Sequence, residues 1–334
     1  MKVRKFLTLC TVCLLSFLLS VSCNSSPQAV SSDSLPPLVI GYSNWPGWLP
    51  WAIAEEEGLF KENGVQVKLQ WYDNYLESLK ALAAGKIDAN CQTLNDTIAF
   101  AGDSVNGQVT VLVNDNSAGN DKIIVADEIN SVEDLKGKTV AIEEGVVDDF
   151  LLSLGLQENG LSRQDIKLKN MGTEQAAAAF VARHSDGVGA FAPFWLDALK
   201  RPDAKELFSS KDFPGAIPDL LVVTQKLNRE RPQEVQALVK TWFATLDFMA
   251  KNPEKAEAIM AKRGGVSVKD FQLFKKGTKI FTLPENLAAF QSGDNLKHLN
   301  FTAEKISEFL VDVGLLKQVP NLNQLFDDRY VKNL

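Results

Sequence analysis

The chain is predicted to be an α/β protein of two lobes in series, each a mainly parallel sheet flanked by helices, with a helical C-terminal tail. Three observations predict this. From residue 38 short apolar runs alternate with helical patterns, as strands and crossover helices do. The alternation breaks and restarts near residue 118, after a turn-rich segment. Beyond residue 224 the periodicity becomes almost wholly helical.

The N-terminus stands apart from that body. Lys2, Arg4 and Lys5 precede an apolar run from Phe6 to Val21 that ends at Ser22-Cys23. This is the layout of an export signal over residues 1–22, and the run is short of the ~20 apolar residues of a membrane-spanning helix. Small residues before Cys23 resemble a bacterial lipobox, although Ser20 stands where leucine is usual. Cys23 is therefore the expected lipidation site, with residues 23–37, rich in Ser and Pro, as a flexible tether. Cys10 and Cys13 have CxxC spacing but lie inside the signal and would leave with it. Only Cys91 then remains as a free thiol, so no structural disulfide is expected.

Loss of Lys2, Arg4 and Lys5 makes a formal net charge of −7 more negative by three. An acidic chain without a basic run excludes nucleic acid as a natural partner.

The elements follow in order. Leu38–Gly41 reads as a strand and Pro50 opens the next helix, where its missing N–H is harmless. Val65–Trp71 alternates as a second strand, and Asn74-Tyr-Leu-Glu77 starts a helix with Leu76, Leu79, Leu82 and Ala83 on one face. Ile87, Ala89 and Cys91 form a third strand, and Val109, Val111 and Val113 a fourth. The second unit has strands at Ile123–Ala126, Thr139–Ile142, Ile166–Leu168 and Val188–Phe191. Its helices are a short one capped by Ser131, another from about Val146 to Gln157, and one through the alanines at 176–179. Leu220–Thr224 is one more strand. Pro232 opens a long helix whose Val235, Leu238, Val239, Trp242, Phe243 and Leu246 make a core stripe. NDNSAGND (114–121) and PGAIPD (214–219) are the best connections between lobes. The resulting boundaries are 38–117 with 219–334 for lobe 1, and 118–218 for lobe 2.

Enzyme signatures are sparse. His184 and His298 have no metal-spaced partner, and there is no GxSxG, HExxH, P-loop or GxGxxG after a strand. Neither catalysis, metal nor cofactor is expected.

Open α/β sheets bind ligands at the carboxyl ends of their strands. Those positions offer Ser43, Asn44, Trp45 and Trp48 after the first strand, then Tyr72 and Asp73 after the second. Gln92, Asn95 and Asp96 follow the third, and Asp115 the fourth. In lobe 2 they offer Glu144, Asp148 and Phe194. Aromatic, amide and carboxylate groups recur there, and Lys and Arg do not. Carboxylates accept charge-assisted hydrogen bonds of about 1.5–3 kcal/mol, and a cation stacked on tryptophan gains about 0.5–2 kcal/mol. These residues are therefore the expected ligand contacts, favouring a small planar cation. Asn74 and Asn95 serve equally as helix caps, Glu143-Glu144 as solvated charges, and Trp71 and Trp51 as core. For Trp45 and Trp48, on either side of Pro46-Gly47, core burial is harder to arrange, so they are expected to wall the cleft.

IGYSNWPGWLPWAIAEEEGLFKENGV resembles the opening of the nitrate/sulfonate/taurine-type substrate-binding proteins of ABC importers. SLKALAAGKIDA, SVEDLKGKTVAI and NPEKAEAIMAKRGGVSVKDF also match that pattern, so the resemblance spans nearly all of the chain after the tether. It implies a two-lobed periplasmic-binding-protein fold that closes on a small molecule. It also implies delivery to an inner-membrane permease and its ATPase by an extracytoplasmic monomer. SNWPGW, NDNSAGND, EEGVVDDFLL and FKKGTKIF are similar to the branch associated with urea carboxylase operons, which implies a urea-like or guanidinium ligand. Phe191-Ala192-Pro193-Phe194 departs from the acidic-proline pair common in the wider family, which argues against carrying over a nitrate or sulfonate ligand. The alternatives are an oxyanion (nitrate, sulfonate, taurine) or a urea- or pyrimidine-like ligand in the same transport role. Different classes are an envelope enzyme or a ligand sensor of the same fold. Relatives in pyrimidine synthesis consume an active-site histidine, for which only His184 and His298 are available.

Overall fold

A computed structural model describes residues 35–334. The expected signal (1–22), Cys23 and the tether up to residue 34 lie outside the described residues. No helix among the described residues is long and apolar enough to cross a membrane.

The strands in chain order are β1 (Leu38–Tyr42), β2 (Val67–Trp71), β3 (Ala89–Thr93), β4 (Gln108–Ser117), β5 (Asp121–Ala126) and β6 (Thr139–Ile142). They continue with β7 (Lys167–Asn170), β8 (Gly187–Phe191), β9 (Ala204–Ser209), β10 (Pro218–Thr224) and β11 (Thr278–Ile280). They form two sheets, ordered β11-β4-β10-β3-β1-β2 and β7-β6-β8-β5-β9. In the first, β1 pairs in parallel with β2 and β3, and β10 runs antiparallel between β3 and β4. In the second, β6 pairs in parallel with β7 and β8, and β5 runs antiparallel to β8 and β9. The chain thus leaves the first sheet after Ser117, enters the second at Asp121, and returns between Ser209 and Pro218. Asp115, Asp121 and Asp219 all sit at these crossings.

The crossings are pinned by side chains. Ser117 and Ser210 share a hydroxyl hydrogen bond of 2.7 Å, and the Gly119 N–H donates to the Ser210 hydroxyl. The Asn120 amide donates to the Phe274 carbonyl and the Thr278 hydroxyl.

One continuous hydrophobic core serves both sheets. On the first, Trp51 stacks on Phe60 at 5.7 Å and meets Trp242 at 4.9 Å, from the Pro232–Lys251 helix. Both tryptophans are fully buried, as their helical periodicity predicts. On the second, Val140, Ile142 and Val188 pack with Phe150 and Leu151 of the helix Val147–Glu158. The tail helix Leu299–Asp312 sets Phe309 edge-on against Phe150, so the tail also touches the second unit. Asn286, in Leu283–Phe290, accepts from the Val113 N–H and donates to its carbonyl, standing in for a neighbouring strand beside β4.

Several elements differ from the sequence reading. Trp71 is only half-buried, edge-on to Tyr42, with its indole N–H on Asp73. The segment after Ser131 makes one 3₁₀ turn, Glu133–Leu135. β9, Ala204–Ser209, has no sequence counterpart above, because its Lys205 and Glu206 give an edge strand the charged look of a surface helix.

Candidate ligand-binding cleft

A small cavity, with about 10 Å³ of internal space, lies where the strand ends of the two sheets face each other.

One wall is aromatic. After β1 the chain turns so that the N–H groups of Trp48 and Leu49 both bond the Trp45 carbonyl, which swings both indoles into the cleft. The two rings lie 6.2 Å apart, and Trp48 continues to Tyr75 at 5.4 Å. Tyr75 meets Phe191 of the opposite sheet edge-on at 6.2 Å, and Phe191 meets Phe194 at 5.4 Å. Trp45 and Trp48 are 4% and 3% exposed. Their burial comes from the lobes meeting over them, which local sequence spacing does not show. The Trp45 N–H donates to Asp115 Oδ1 at 3.0 Å, whereas the Trp48 N–H has no partner among the described residues. Gly47 is required here: a Cβ on it would lie 1.8 Å from Asp115 Oδ2.

Two aspartates, Asp121 and Asp219, line the cavity, and three more, Asp96, Asp115 and Asp148, are buried behind its lining. Asp96, in the first turn of Leu94–Ala101, accepts from the Tyr75 hydroxyl (2.7 Å), the Thr93 hydroxyl (2.7 Å) and the Asn95 amide (2.8 Å). Burial nevertheless pushes its carboxyl up to about 7, and the charges of Glu143 and Asp121 add to the shift. Asp121 is raised to about 7, again by burial, opposed by the Ser117 hydroxyl and Lys122. Asp148 accepts from the Thr173 hydroxyl at 2.9 Å, while its Oδ1 has no partner among the described residues. Burial and then Asp121 raise it well above the carboxylate range. Asp219 lines the cavity with neither oxygen partnered among the described residues, and it is raised by burial and then by Asp115. Asp115 is raised by burial against the bonds it accepts. All five are 0–1% exposed. None of the residues lining the cavity is Lys or Arg. The nearest base in sequence, Lys122, is turned to Glu206 at 2.5 Å and lies over the Trp195 ring.

At the mouth, Glu143 bridges the lobes, accepting from the Asn74 amide at 3.1 Å and the Thr173 hydroxyl at 3.2 Å. Together with Asp73, Phe194 and Gln175 these residues line an outer recess beside the cavity.

Of the sequence-predicted contacts, Trp45 and Trp48 line the cavity, while Asp96, Asp115 and Asp148 lie behind its lining, bonded to Tyr75 and Thr93, to Trp45, and to Thr173. Ser43 is buried nearby, its hydroxyl unpartnered among the described residues. Asn95 supports Asp96. Asp73 and Phe194 line only the outer recess. Four others point elsewhere. Asn44 donates to the Gly264 carbonyl, and Gln92 joins a buried network with Thr97, Gln108 and Asn90. Tyr72 accepts from Gln70 outside the cavity, and its place is taken by Tyr75. Glu144 faces Arg163 at 3.8 Å, because consecutive residues after β6 diverge and it is Glu143 that turns inward.

Tyr75, Thr93, Asp121, Val147, Phe191 and Asp219 line the cavity without having been singled out as contacts. Asp121 and Asp219 had a signal: they end the two connections, and crossing segments floor the cleft between lobes. His184 and His298 do not line the cavity, and the His298 Nδ1 is engaged with backbone carbonyls. Cys91 is buried and free, with its thiol pushed up by burial.

Comparison with known proteins agrees with this architecture. A protein of Brucella abortus carrying the provisional name of binding protein is 25% identical over 308 residues, covering 90% of this chain and 92% of that one. The taurine-binding periplasmic protein of Escherichia coli is 25% identical over 296 residues, covering 85% and 89%. The alkanesulfonate-binding protein SsuA from Xanthomonas axonopodis pv. citri, solved bound to MOPS, superposes with a TM-score of 0.70 at 16% identity, covering 86% and 96%. Two sheets flanked by helices and joined by two crossings make this the periplasmic-binding-protein fold. The family model described as NMT1/THI5 like matches residues 45–256, which include the tryptophan turn, all five buried aspartates and both crossings: the chain belongs to the NMT1/THI5-like family.

Proposed function

We propose that this protein is the substrate-binding component of an ABC importer and that its ligand is a small planar cation of the guanidinium type. The Brucella abortus and Escherichia coli relatives support the binding role, since both are named as binding proteins and the second as periplasmic. Residues 38–117 with 219–334, and 118–218, are the two lobes, hinged at the crossings. Export, attachment through a lipid on Cys23, and handover to a permease and its ATPase belong to the same reading.

One observation carries the choice of ligand. Asp121 and Asp219 line a small cavity with an aromatic wall, three more aspartates are buried behind them, and no Lys or Arg lines it. Buried carboxylates without a counter-ion are unfavourable by several kcal/mol, so the cleft lacks positive charge until something supplies it. A guanidinium ion presents N–H groups around its edge for Asp121, Asp219 and their neighbours, and a face for Trp45 and Trp48. A sulfonate or nitrate would find no Lys or Arg in the lining to pair with.

Calorimetric titration of the purified protein with guanidinium, methylguanidinium, urea, taurine and nitrate tests this. Guanidinium is expected to bind near micromolar, about −8 kcal/mol. Asp121→Asn is expected to weaken it about 10–100-fold, the value of one charged hydrogen bond. Binding of taurine or nitrate without guanidinium would refute the cation and leave the transport role standing.

A further inference from the structure

Asp115 and Asp219 are direct cross-strand partners in the antiparallel β4–β10 pair, at the base of the cleft. Directly opposed residues of an antiparallel pair project from the same face with Cβ atoms about 4.5–5.5 Å apart, so the two carboxyl groups stand side by side. Asp115 and Asp219 are 0% and 1% exposed. Two carboxylates cannot share a hydrogen bond without a proton between them, and like charges at that distance out of water are mutually destabilising.

The surroundings decide which of the two holds the proton. Asp115 Oδ1 accepts from the Trp45 indole, a donor that favours its anion. Asp219 receives no N–H or hydroxyl donor among the described residues. The groups facing the pair from other elements are also acidic or neutral: Asp121 on β5, Asp96 in Leu94–Ala101, and the Cys91 thiol on β3. Lys122 acts on Asp121 only, while ion-paired with Glu206.

We propose that in the ligand-free cleft Asp219 donates a shared proton to Asp115, and that an entering cation displaces this proton to solvent, so that Asp219 discriminates charged guanidinium from neutral urea. The inference rests on the ligand reading above and adds its mechanism of selectivity. The exchange balances: one proton leaves Asp219 for water, one monocation enters, and the net charge of the closed cleft is unchanged. Urea brings no charge, so it leaves the proton in place and meets an O–H donor and one anion instead of two anions. Asp219 lines the cavity and neither of its oxygens receives a donor among the described residues, so it is open to the ligand.

The test has two arms. Carbon-13 carboxyl spectra of aspartate-labelled, ligand-free protein should show a protonated aspartate at pH 7 that is lost in Asp219→Asn. Calorimetry with guanidinium in two buffers of different ionisation enthalpy should show release of about one proton per ligand. The guanidinium-to-urea affinity ratio should then rise by about tenfold per pH unit while the proton is still bound. In Asp219→Asn the release should vanish and the ratio collapse. Asp115→Asn, which removes the other partner, provides the same comparison if Asp219→Asn does not fold. Ionisation of all aspartates at pH 7, or guanidinium binding with no buffer dependence, would overturn the proposal. A protonated aspartate lost in Asp219→Asn, with no guanidinium binding, would support the shared proton and defeat the ligand reading.

Discussion

The buried carboxyls make a definite statement about stability against pH in the absence of ligand. Asp96 and Asp121 titrate at about 7 in the folded protein, against about 3.9 in an unfolded chain. A carboxyl raised on folding holds its proton more tightly in the native state, so its contribution is complete below about pH 4. That contribution is lost as pH rises through 7. Between pH 5 and pH 8 each group withdraws about 2–3 kcal/mol, and the two together about 5 kcal/mol. Asp148, Asp115 and Asp219 act in the same direction. Opening of the cleft admits water to the carboxylates and caps the loss, so about 3–5 kcal/mol is expected. Carboxyls held low, such as Asp203 between Arg201 and Arg183, change nothing in this window because they stay ionised throughout. At ~2–4 °C per kcal/mol the melting temperature should fall by on the order of 10 °C from pH 5 to pH 8. Thermal and urea unfolding of the ligand-free protein, beside Asp96→Asn and Asp121→Asn, would measure it. Each variant should flatten the slope by roughly half of the expected loss, and saturating guanidinium should offset most of the decline at pH 8. Stability that is flat or rising over this range, or a slope unchanged in both variants, would refute the reasoning.

Three further outcomes follow from single contacts. Gly47→Ala places a methyl group against the Asp115 carboxylate; it should weaken guanidinium binding tenfold or more, by at least about 1.4 kcal/mol, in a protein whose circular dichroism is unchanged. Trp242→Ala removes a fully buried indole that touches only core; a loss of about 3–5 kcal/mol in urea unfolding is expected, with the dissociation constant of the still-folded protein unaltered. Asn286→Ala leaves the N–H and carbonyl of Val113 without their side-chain partners; a destabilisation of about 2–3 kcal/mol and faster amide exchange at Val113 would report it, and normal protection there would count against Asn286 acting as a strand surrogate.

The sequence and the structure divide the explanation of this protein between them. Period-two and helical patterns located β1, β3, β6 and β8 to within a few residues, because those signals are local: each depends on which face of one element meets a core. The same locality made Trp51 and Trp242 legible as core residues. It also made the acidic and aromatic bias at strand ends visible, since position after a strand is a matter of chain order. Trp45 and Trp48, which line the cavity, were singled out that way. Local pattern failed where a side chain's direction or its partner came from elsewhere. Glu143 and Glu144 are adjacent, yet only Glu143 meets Asn74 across the mouth. Tyr75 reads as the first residue of a helix, and its hydroxyl reaches Asp96 only because that helix packs beside Leu94–Ala101. Asp121 and Asp219 read as the ends of connections. Pairing of β10 between β3 and β4 sets Asp219 against Asp115, far apart in the chain. By itself the sequence determined the α/β class and the bias at strand ends towards aromatic, amide and carboxylate groups rather than Lys or Arg. Only the tertiary structure decided which carboxyls converge, because convergence is set by strand order and lobe contact, and neither leaves a trace in the spacing of residues along one element.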